Sequence, residues 1–144
     1  MQDASVRTAV YGAFATGVVP TRDQVARSTG FPLDAVAASY RRLAEAHGLV
    51  PDPRTGEVWM AMPFSAVPTA FRVTAGSTAW WANCAWDALG IAAATGRDVR
   101  IDTGCADCGD PLTLRVEHGS VAPPDGVVHF AVPAARWWDD IGFT

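Results

Sequence analysis

The sequence predicts an α+β fold in which an N-terminal winged-helix-like module of three helices packs on a small mixed β-sheet domain with one central helix. Apolar residues recur at helical spacing before Gly48, whereas short β-prone segments separated by Pro- and Gly-containing turns prevail after Met60. Hydrophobic residues make up 49% of the 144 residues, which is enough to bury a core. We assign the module to residues 1–58 and the core domain to residues 59–144.

The first three predicted elements are helices. Two of them span 3–15 and 21–29, and Thr21 is the expected N-cap of the second, with Gly30 as its C-terminal stop. The third lies in LDAVAASYRRLAEAH, where apolar residues repeat every three or four positions until a glycine follows.

Three helices followed by a β-hairpin, here around the turn in VPDPRTGEVWM, is the element order of a winged helix-turn-helix. Such a module either binds DNA or packs on a neighbouring domain. The third helix offers only Arg41 and Arg42 as an adjacent basic pair, and the net charge is −4, so DNA phosphates meet little basic surface. We therefore expect no nucleic-acid partner.

The core domain is predicted to hold one helix among short strands. A strand is expected at the end of MPFSAVPTAFRVTAG. Ser77 and Thr78 then precede AWWANCAWDALGIAAATG, which we interpret as a single helix that Gly96 ends. Three more strands are expected in VRIDT, LTLRVEHG and VVHFAVP.

The cellular compartment is inferred from absent signals. No apolar run reaches the roughly 18 residues of a membrane-spanning helix, and the N-terminal MQDASVRTAVYGAF lacks a charged-then-apolar export pattern. We expect a cytoplasmic protein without a membrane partner. In a reducing cytoplasm its three cysteines are expected to be free thiols, metal ligands or a nucleophile rather than a disulfide framework.

Cys84 and Asp87 are the candidate reactive pair. They stand three residues apart near the start of the predicted core helix, so they share a face, and the helix N-terminus is expected to lower the pKa of the thiol below roughly 8.5. A carboxylate beside a thiol can accept its proton and later return it. On spacing alone, a core cysteine and a solvated aspartate remain the more common interpretation.

Cys105 and Cys108 form a second candidate group, in the turn CADCG. Two thiols at this spacing supply half of a tetrahedral zinc site, but the histidines of this sequence match no zinc pattern that would complete it. Metal binding and a purely structural turn both remain open, and we favour the turn.

Three segments, PFSAVPTAFRV, NCAWDALGI and VRIDTGC, resemble in this order the organomercurial (alkylmercury) lyases. In that family a Pro-Phe-Ser segment precedes a strand, a Cys-x-x-Asp-x-Leu-Gly helix follows, and a further strand leads to another cysteine. The resemblance covers the chain from about residue 20 onward. It implies that the N-terminal module packs on the catalytic core and does not read DNA.

The resemblance implies a function as well. Cys84 matches the first mercury-binding cysteine of the family and Asp87 its proton-shuttling aspartate. The reaction that the resemblance implies is protonolysis of a carbon–mercury bond. Soft mercury prefers thiolate sulfur, and a nearby acid can protonate the attached carbon. The expected substrate is a small organometallic or hydrophobic compound, Hg(II) is the bound product, and no organic cofactor is required.

The family uses a second catalytic cysteine C-terminal to its last strand, and this sequence ends at RWWDDIGFT without one. We therefore expect Cys84 to bind mercury but to cleave carbon–mercury bonds slowly, unless Cys105 or Cys108 replaces that thiol. The family cysteine near Cys105 is structural. Two alternatives stay open, namely an enzyme of this fold with another substrate and a metal-sensing winged-helix regulator. The oligomeric state is not predicted.

Overall fold

The computed structural model describes residues 1–142, which contain helices packed against an eight-stranded sheet. The helices are α1 (Gln2–Ala15), α2 (Arg22–Thr29), α3 (Leu33–Glu45) and α4 (Ala85–Thr95), with a 3-10 helix at Ala134–Asp139. The strands are β1 (Val50–Pro51), β2 (Val58–Ala61), β3 (Phe64–Ser65), β4 (Phe71–Ala75), β5 (Thr78–Ala82), β6 (Val99–Gly104), β7 (Pro111–Glu117) and β8 (Ser120–Ala122). Their order in the sheet is β1-β2-β3-β5-β4-β6-β7-β8.

The three N-terminal helices follow the sequence prediction closely. Thr21 caps α2 with a reciprocal capping box, since its hydroxyl accepts from the Gln24 amide while the Gln24 side chain accepts from the Thr21 amide. Gly30 ends the same helix in the left-handed region, at φ 75°. Both boundary predictions are therefore confirmed.

The helical module and the sheet share one core. Phe14 of α1 stacks on Phe64 of β3, with ring centroids 5.4 Å apart. The indole nitrogen of Trp80 in β5 donates a 2.6 Å hydrogen bond to the carbonyl oxygen of Phe14. Buried side chains of both parts form one cluster, which includes Val6, Val10, Val25, Val36, Tyr40, Leu49, Val73, Ile91 and Ile101. The predicted packing of an α module on a β domain is thus observed.

The α+β class is confirmed, but the strand arrangement differs from the mixed sheet that the sequence predicted. All strand pairs within residues 1–142 are antiparallel. The hairpin β1–β2 pairs as predicted, Val50 opposite Met60, and continues the same sheet through β3. The sheet therefore runs across the boundary proposed at residue 58, and the division into two domains stays a prediction.

The third helix carries the basic pair that a DNA-reading module would use. The Arg42 guanidinium binds the Asp3 carboxylate through two hydrogen bonds of 2.9 and 2.6 Å. This arginine therefore already has an anionic partner inside the protein.

The predicted core helix is wrong at its start. Residues 78–82 form β5, and α4 begins only at Ala85. In β5 the buried residues Trp80 and Ala82 alternate with less buried neighbours, which is the period of a strand with one face in the core. An apolar run of this length fits a strand or a helix, and its pairing with β4 and β3 decides in favour of the strand.

The last predicted strand is also wrong. Residues 127–130, in VVHFAVP, have no strand pairing, and Val127 is 93% exposed. Instead Ser120–Ala122 forms β8, because His118 and Gly119 both adopt positive φ, 51° and 79°, and turn the chain back onto β7. A two-residue turn of this kind joins adjacent antiparallel strands.

Two contacts bring the segments of the sequence motif together. Strand β3 pairs with β5, so that Phe64 lies opposite Ala82, two residues before Cys84. Helix α4 then passes close to the turn before β3: a Cβ at Gly90 would lie 3.3 Å from the Cβ of Pro63. A glycine at this position lets the helix approach that turn. Among the helices of residues 1–142, none is both long and apolar enough to cross a membrane.

Replacing Trp80 by phenylalanine is expected to lower the free energy of unfolding by about 1–3 kcal/mol, because the change removes a buried hydrogen bond and leaves unfilled volume. Trp80 is 4% exposed, whereas Trp86 is 58% exposed, so Trp86→Phe is the matched control and should change stability by less than about 0.5 kcal/mol. Urea denaturation followed by circular dichroism measures both. Equal effects of the two substitutions would contradict this account of the core.

Candidate active site

Cys84 is the N-cap residue of α4. Its backbone is extended, at φ −150° and ψ −178°, and its carbonyl oxygen accepts the first helical hydrogen bond, from the Ala88 amide at 2.9 Å. The Asp87 amide donates to the sulfur at 3.4 Å, so the thiol occupies the place that a Ser or Asp side chain usually takes at a helix start. The sequence placed Cys84 inside a longer helix; the structure places it at the helix entrance.

The thiol of Cys84 and the carboxylate of Asp87 are in contact. Besides the amide hydrogen bond, the two side chains are close enough for each to shift the pKa of the other. Both residues are half-buried, so the sulfur is neither sealed in the core nor fully in solvent. A proton can therefore pass between the two groups without a large movement of either side chain.

Burial acts on both groups of this pair. It raises the pKa of the Cys84 thiol, the Asp87 charge raises it further, and hydrogen bonds from the Asp87 and Trp86 amides offset only part of this. Burial also raises the pKa of Asp87, although hydrogen bonds from Asn83 and Cys84 oppose the shift. The predicted lowering of the thiol pKa is therefore wrong, because desolvation outweighs the helix N-terminus.

Asn83 is a site residue that the sequence interpretation missed. Its side-chain nitrogen donates to Asp87 Oδ2 at 3.1 Å and to the Phe64 carbonyl oxygen at 3.2 Å. It thereby ties the carboxylate of α4 to strand β3. The amide oxygen of Asn83 is buried and has no hydrogen-bond partner among residues 1–142. Its place beside Cys84 was the only available signal, and the second anchor on β3 depends on strand pairing.

The tryptophans around Cys84 have different surroundings. Trp80 is in the core, Trp81 lies under the guanidinium of Arg72 at 5.1 Å, and exposed Trp86 meets Phe130 edge-on at 6.4 Å. The burial of Trp80 is ordinary packing of an aromatic side chain in the core. Two surface grooves within residues 1–142, of about 710 and 600 Å³, are lined by other residues.

The remaining cysteines lie in the loop between β6 and β7. Cys105 is half-buried and Cys108 is exposed. Hydrogen bonds from the Cys108 and Asp107 amides lower the pKa of Cys105. Within residues 1–142 no three His, Cys, Asp or Glu side chains converge on a metal position, so the pair remains half of a zinc site. The position at which the resemblance puts a second catalytic cysteine lies outside the described residues.

Comparisons with known proteins give consistent matches. The alkylmercury lyase (MerB) family model matches residues 64–144. Alkylmercury lyases of Bacillus cereus and Clostridium butyricum are each 30% identical over 122 residues, which are 83% of this chain and 54% of the relative. The chain thus spans about half the length of these curated relatives. The crystal structure of the mercury-bound form of MerB2 is 25% identical, with a TM-score of 0.68 over 86% of this chain and 60% of that one.

Replacing Asp87 by asparagine is expected to raise the free energy of unfolding at neutral pH. Because burial raises the folded-state pKa of Asp87 above its usual 3.8, the folded protein holds this proton more tightly than the unfolded chain does. The resulting stabilisation is complete below pH 3.8 and is lost as pH rises through the folded-state pKa. The advantage of the asparagine variant should therefore grow as pH rises to neutrality.

Urea unfolding of wild type and Asp87→Asn across this pH range measures the difference. Asp125→Asn, which removes the charge of an exposed carboxylate, controls for the change in net charge. A stability difference that shrinks toward neutral pH would show that the Asp87 carboxylate is well solvated, against the burial described above.

Proposed function

The chain belongs to the alkylmercury lyase family, and on this premise we propose that Cys84 binds organomercury compounds while Asp87 moves the proton that cleaves the carbon–mercury bond. The position of the Cys84 sulfur at the start of α4, where it accepts a hydrogen bond from the Asp87 amide and lies beside the Asp87 side chain, carries this proposal. Family membership supports an organomercury substrate and lyase-like chemistry. We propose the activity of this chain and the roles of its residues.

The first step is substrate binding. Burial raises the pKa of the Cys84 thiol, so the sulfur carries its proton at neutral pH until a soft metal arrives. Mercury in an R–Hg–X compound forms a bond with this sulfur, X leaves as an anion, and the thiol proton passes to the Asp87 carboxylate. The closeness of the two side chains gives that proton a short path.

The second step is protonolysis. Asp87, now a neutral acid, donates its proton to the carbon bonded to mercury. The carbon–mercury bonding electrons form the new carbon–hydrogen bond, the hydrocarbon leaves, and Hg(II) stays on sulfur while the carboxylate is regenerated. The raised pKa of Asp87 suits this role, because a buried carboxyl group keeps its proton until the carbon is in reach.

Electron donation to the metal sets the rate of this step. A second thiolate on mercury would make the attached carbon more carbanion-like, as the resemblance to the family implies. The other two cysteines of the sequence, Cys105 and Cys108, lie in the loop between β6 and β7 and not on α4. A small thiol from solution supplies the same donor atom, so assays of this chain are best run with one present.

Two substitutions separate binding from cleavage. Cys84→Ser should abolish benzene release from phenylmercury, while serine, a preferred N-cap residue, keeps the start of α4 intact. Asp87→Asn should still bind phenylmercury at Cys84, but its rate of benzene release should fall at least about 10²-fold, because a general acid usually contributes at least this factor. Gas chromatography measures benzene, and peptide mapping by mass spectrometry locates the mercury. Benzene release by Cys84→Ser at the wild-type rate would contradict the proposal.

Asn83 is proposed as a positioning residue, because it holds the Asp87 carboxylate against β3. Asn83→Ala removes a hydrogen bond that favours the ionised carboxylate, so the pKa of Asp87 should rise further and the pH limb of cleavage that reports it should move to higher pH. The maximal rate should fall by roughly tenfold, by analogy with loss of one orienting contact, with phenylmercury binding unchanged. An unmoved pH profile would assign Asn83 a merely structural role.

A further inference from the structure

The loop between β6 and β7, residues 105–110, is held by backbone hydrogen bonds and carries two cysteines that the proposed function does not use. The Cys105 amide donates to the Asp110 carbonyl oxygen at 2.9 Å, and the Gly109 amide donates to the Cys105 carbonyl oxygen at 2.9 Å. Gly109 lies at φ 77°, a conformation that glycine adopts without strain. The loop is thus closed by backbone hydrogen bonds at its base, and its two cysteines are held in fixed places.

The two sulfur atoms of this loop are neighbours. Cys105 and Cys108 stand three residues apart in the turn that the Gly109 amide closes onto the Cys105 carbonyl oxygen, and the amides of Cys108 and Asp107, together with the Cys108 thiol, lower the pKa of the Cys105 thiol. Cys108 is exposed and Cys105 half-buried, so an ion can approach from solvent. Amide donors aimed at a sulfur atom stabilise the thiolate that a metal requires.

The number of ligands narrows the class of metal. Zinc needs four ligands in a structural site, and within the described chain no third His, Cys, Asp or Glu side chain joins the pair. Soft thiolates select soft cations, and Hg(II) is satisfied by two thiolates in a linear arrangement. We propose that Cys105 and Cys108 form a second thiophilic site, which binds Hg(II) or a cation of the same two-coordinate class independently of Cys84.

Binding at this site needs no oxidant or reductant. Two thiol protons pass to solvent, two sulfur–mercury bonds form, and the charge of the cation is neutralised by the two thiolates. The reaction therefore differs from disulfide formation, which would require an electron acceptor.

The sheet places the two sulfur sites at the same end. Trp81 of β5 and Asp102 of β6 both lie opposite Arg72 of β4, and both strands run antiparallel to β4. Cys84 comes three residues after Trp81, and Cys105 comes three residues after Asp102. Because β4 lies between β5 and β6, these two strands are about 10 Å apart at this row. We infer from this placement that the loop receives the Hg(II) that Cys84 releases, an inference that rests on the proposed function.

The test uses Cys84→Ser, which keeps only the two thiols of the loop. Reduced protein, freed of reductant, is titrated with HgCl₂ against glutathione as the competing monothiol. We expect one Hg(II) per protein, loss of both free thiols and release of two protons. Adding Cys105→Ser or Cys108→Ser should weaken Hg(II) retention by at least about 10²-fold, because the second bond is no longer intramolecular.

Two further variants sharpen the test. Gly109→Ala keeps both sulfur atoms and meets no neighbour within 4 Å, yet it strains a backbone at positive φ, so it should weaken retention without removing a ligand. Cys108→Ser changes an exposed side chain and should leave the melting temperature unchanged, which separates loss of a ligand from loss of the fold. One thiol consumed per Hg(II), equal retention by the single-thiol variants, or equal retention of Zn(II) would each overturn the proposal.

The transfer role has its own readout. After wild-type protein has released benzene from phenylmercury, peptide mapping should find Hg(II) on the loop peptide, and Cys108→Ser protein should keep it at Cys84. If no benzene appears, the proposed lyase function fails while the HgCl₂ titration still decides on the second site. Benzene release with Hg(II) only at Cys84 in wild type would overturn the transfer role.

Discussion

The junction between β5 and α4 is the constraint on which the site depends. Ala82, the last residue of β5, pairs with Phe64 of β3 on one side and with Phe71 of β4 on the other. Its carbonyl oxygen also accepts a 2.6 Å hydrogen bond from the Thr69 hydroxyl. Only Asn83 and Cys84 lie between this strand end and the first residue of α4. The sheet therefore fixes both the direction of the helix and the place where its first polar side chains stand. Sulfur is a weak hydrogen-bond acceptor, so Cys84 caps α4 less well than serine would. This unfavourable cap is the residue to which the proposed function assigns the chemistry.

The same junction sets the protonation of the pair. A helix N-terminus stabilises a thiolate, and this effect can be inferred from sequence because it depends on position alone. Burial stabilises the thiol, and it depends on what other strands and helices place around the sulfur. In this fold burial is the larger effect, and it acts in the same direction on the Asp87 carboxyl. The resting thiol therefore keeps its proton, and in the proposed mechanism the bond to mercury, rather than the protein, causes it to ionise.

Local signals predicted much of the N-terminal half, because its helices begin and end at residues whose role is local, as at Thr21 and Gly30. The core was predicted less well. AWWA fits a helix or a strand until β3 and β4 are placed beside it, and that pairing links distant segments. For the site, Cys84 and Asp87 followed from a resemblance carried by short motifs. The role of Asn83 could not be predicted in this way, because its second partner, the Phe64 carbonyl oxygen, lies on a strand nineteen residues earlier.

The two sulfur sites differ in ways that suit successive tasks. At the start of α4 one half-buried sulfur stands beside a carboxyl group, which can protonate carbon but holds the metal by a single thiolate. In the β6–β7 loop a half-buried and an exposed cysteine stand three residues apart, and the amides of Cys108 and Asp107 lower the pKa of Cys105. Two tethered thiolates hold a soft cation more tightly than one. Hg(II) would therefore move from the site that can release a hydrocarbon to the site that can retain a metal, which leaves Cys84 free for another substrate molecule.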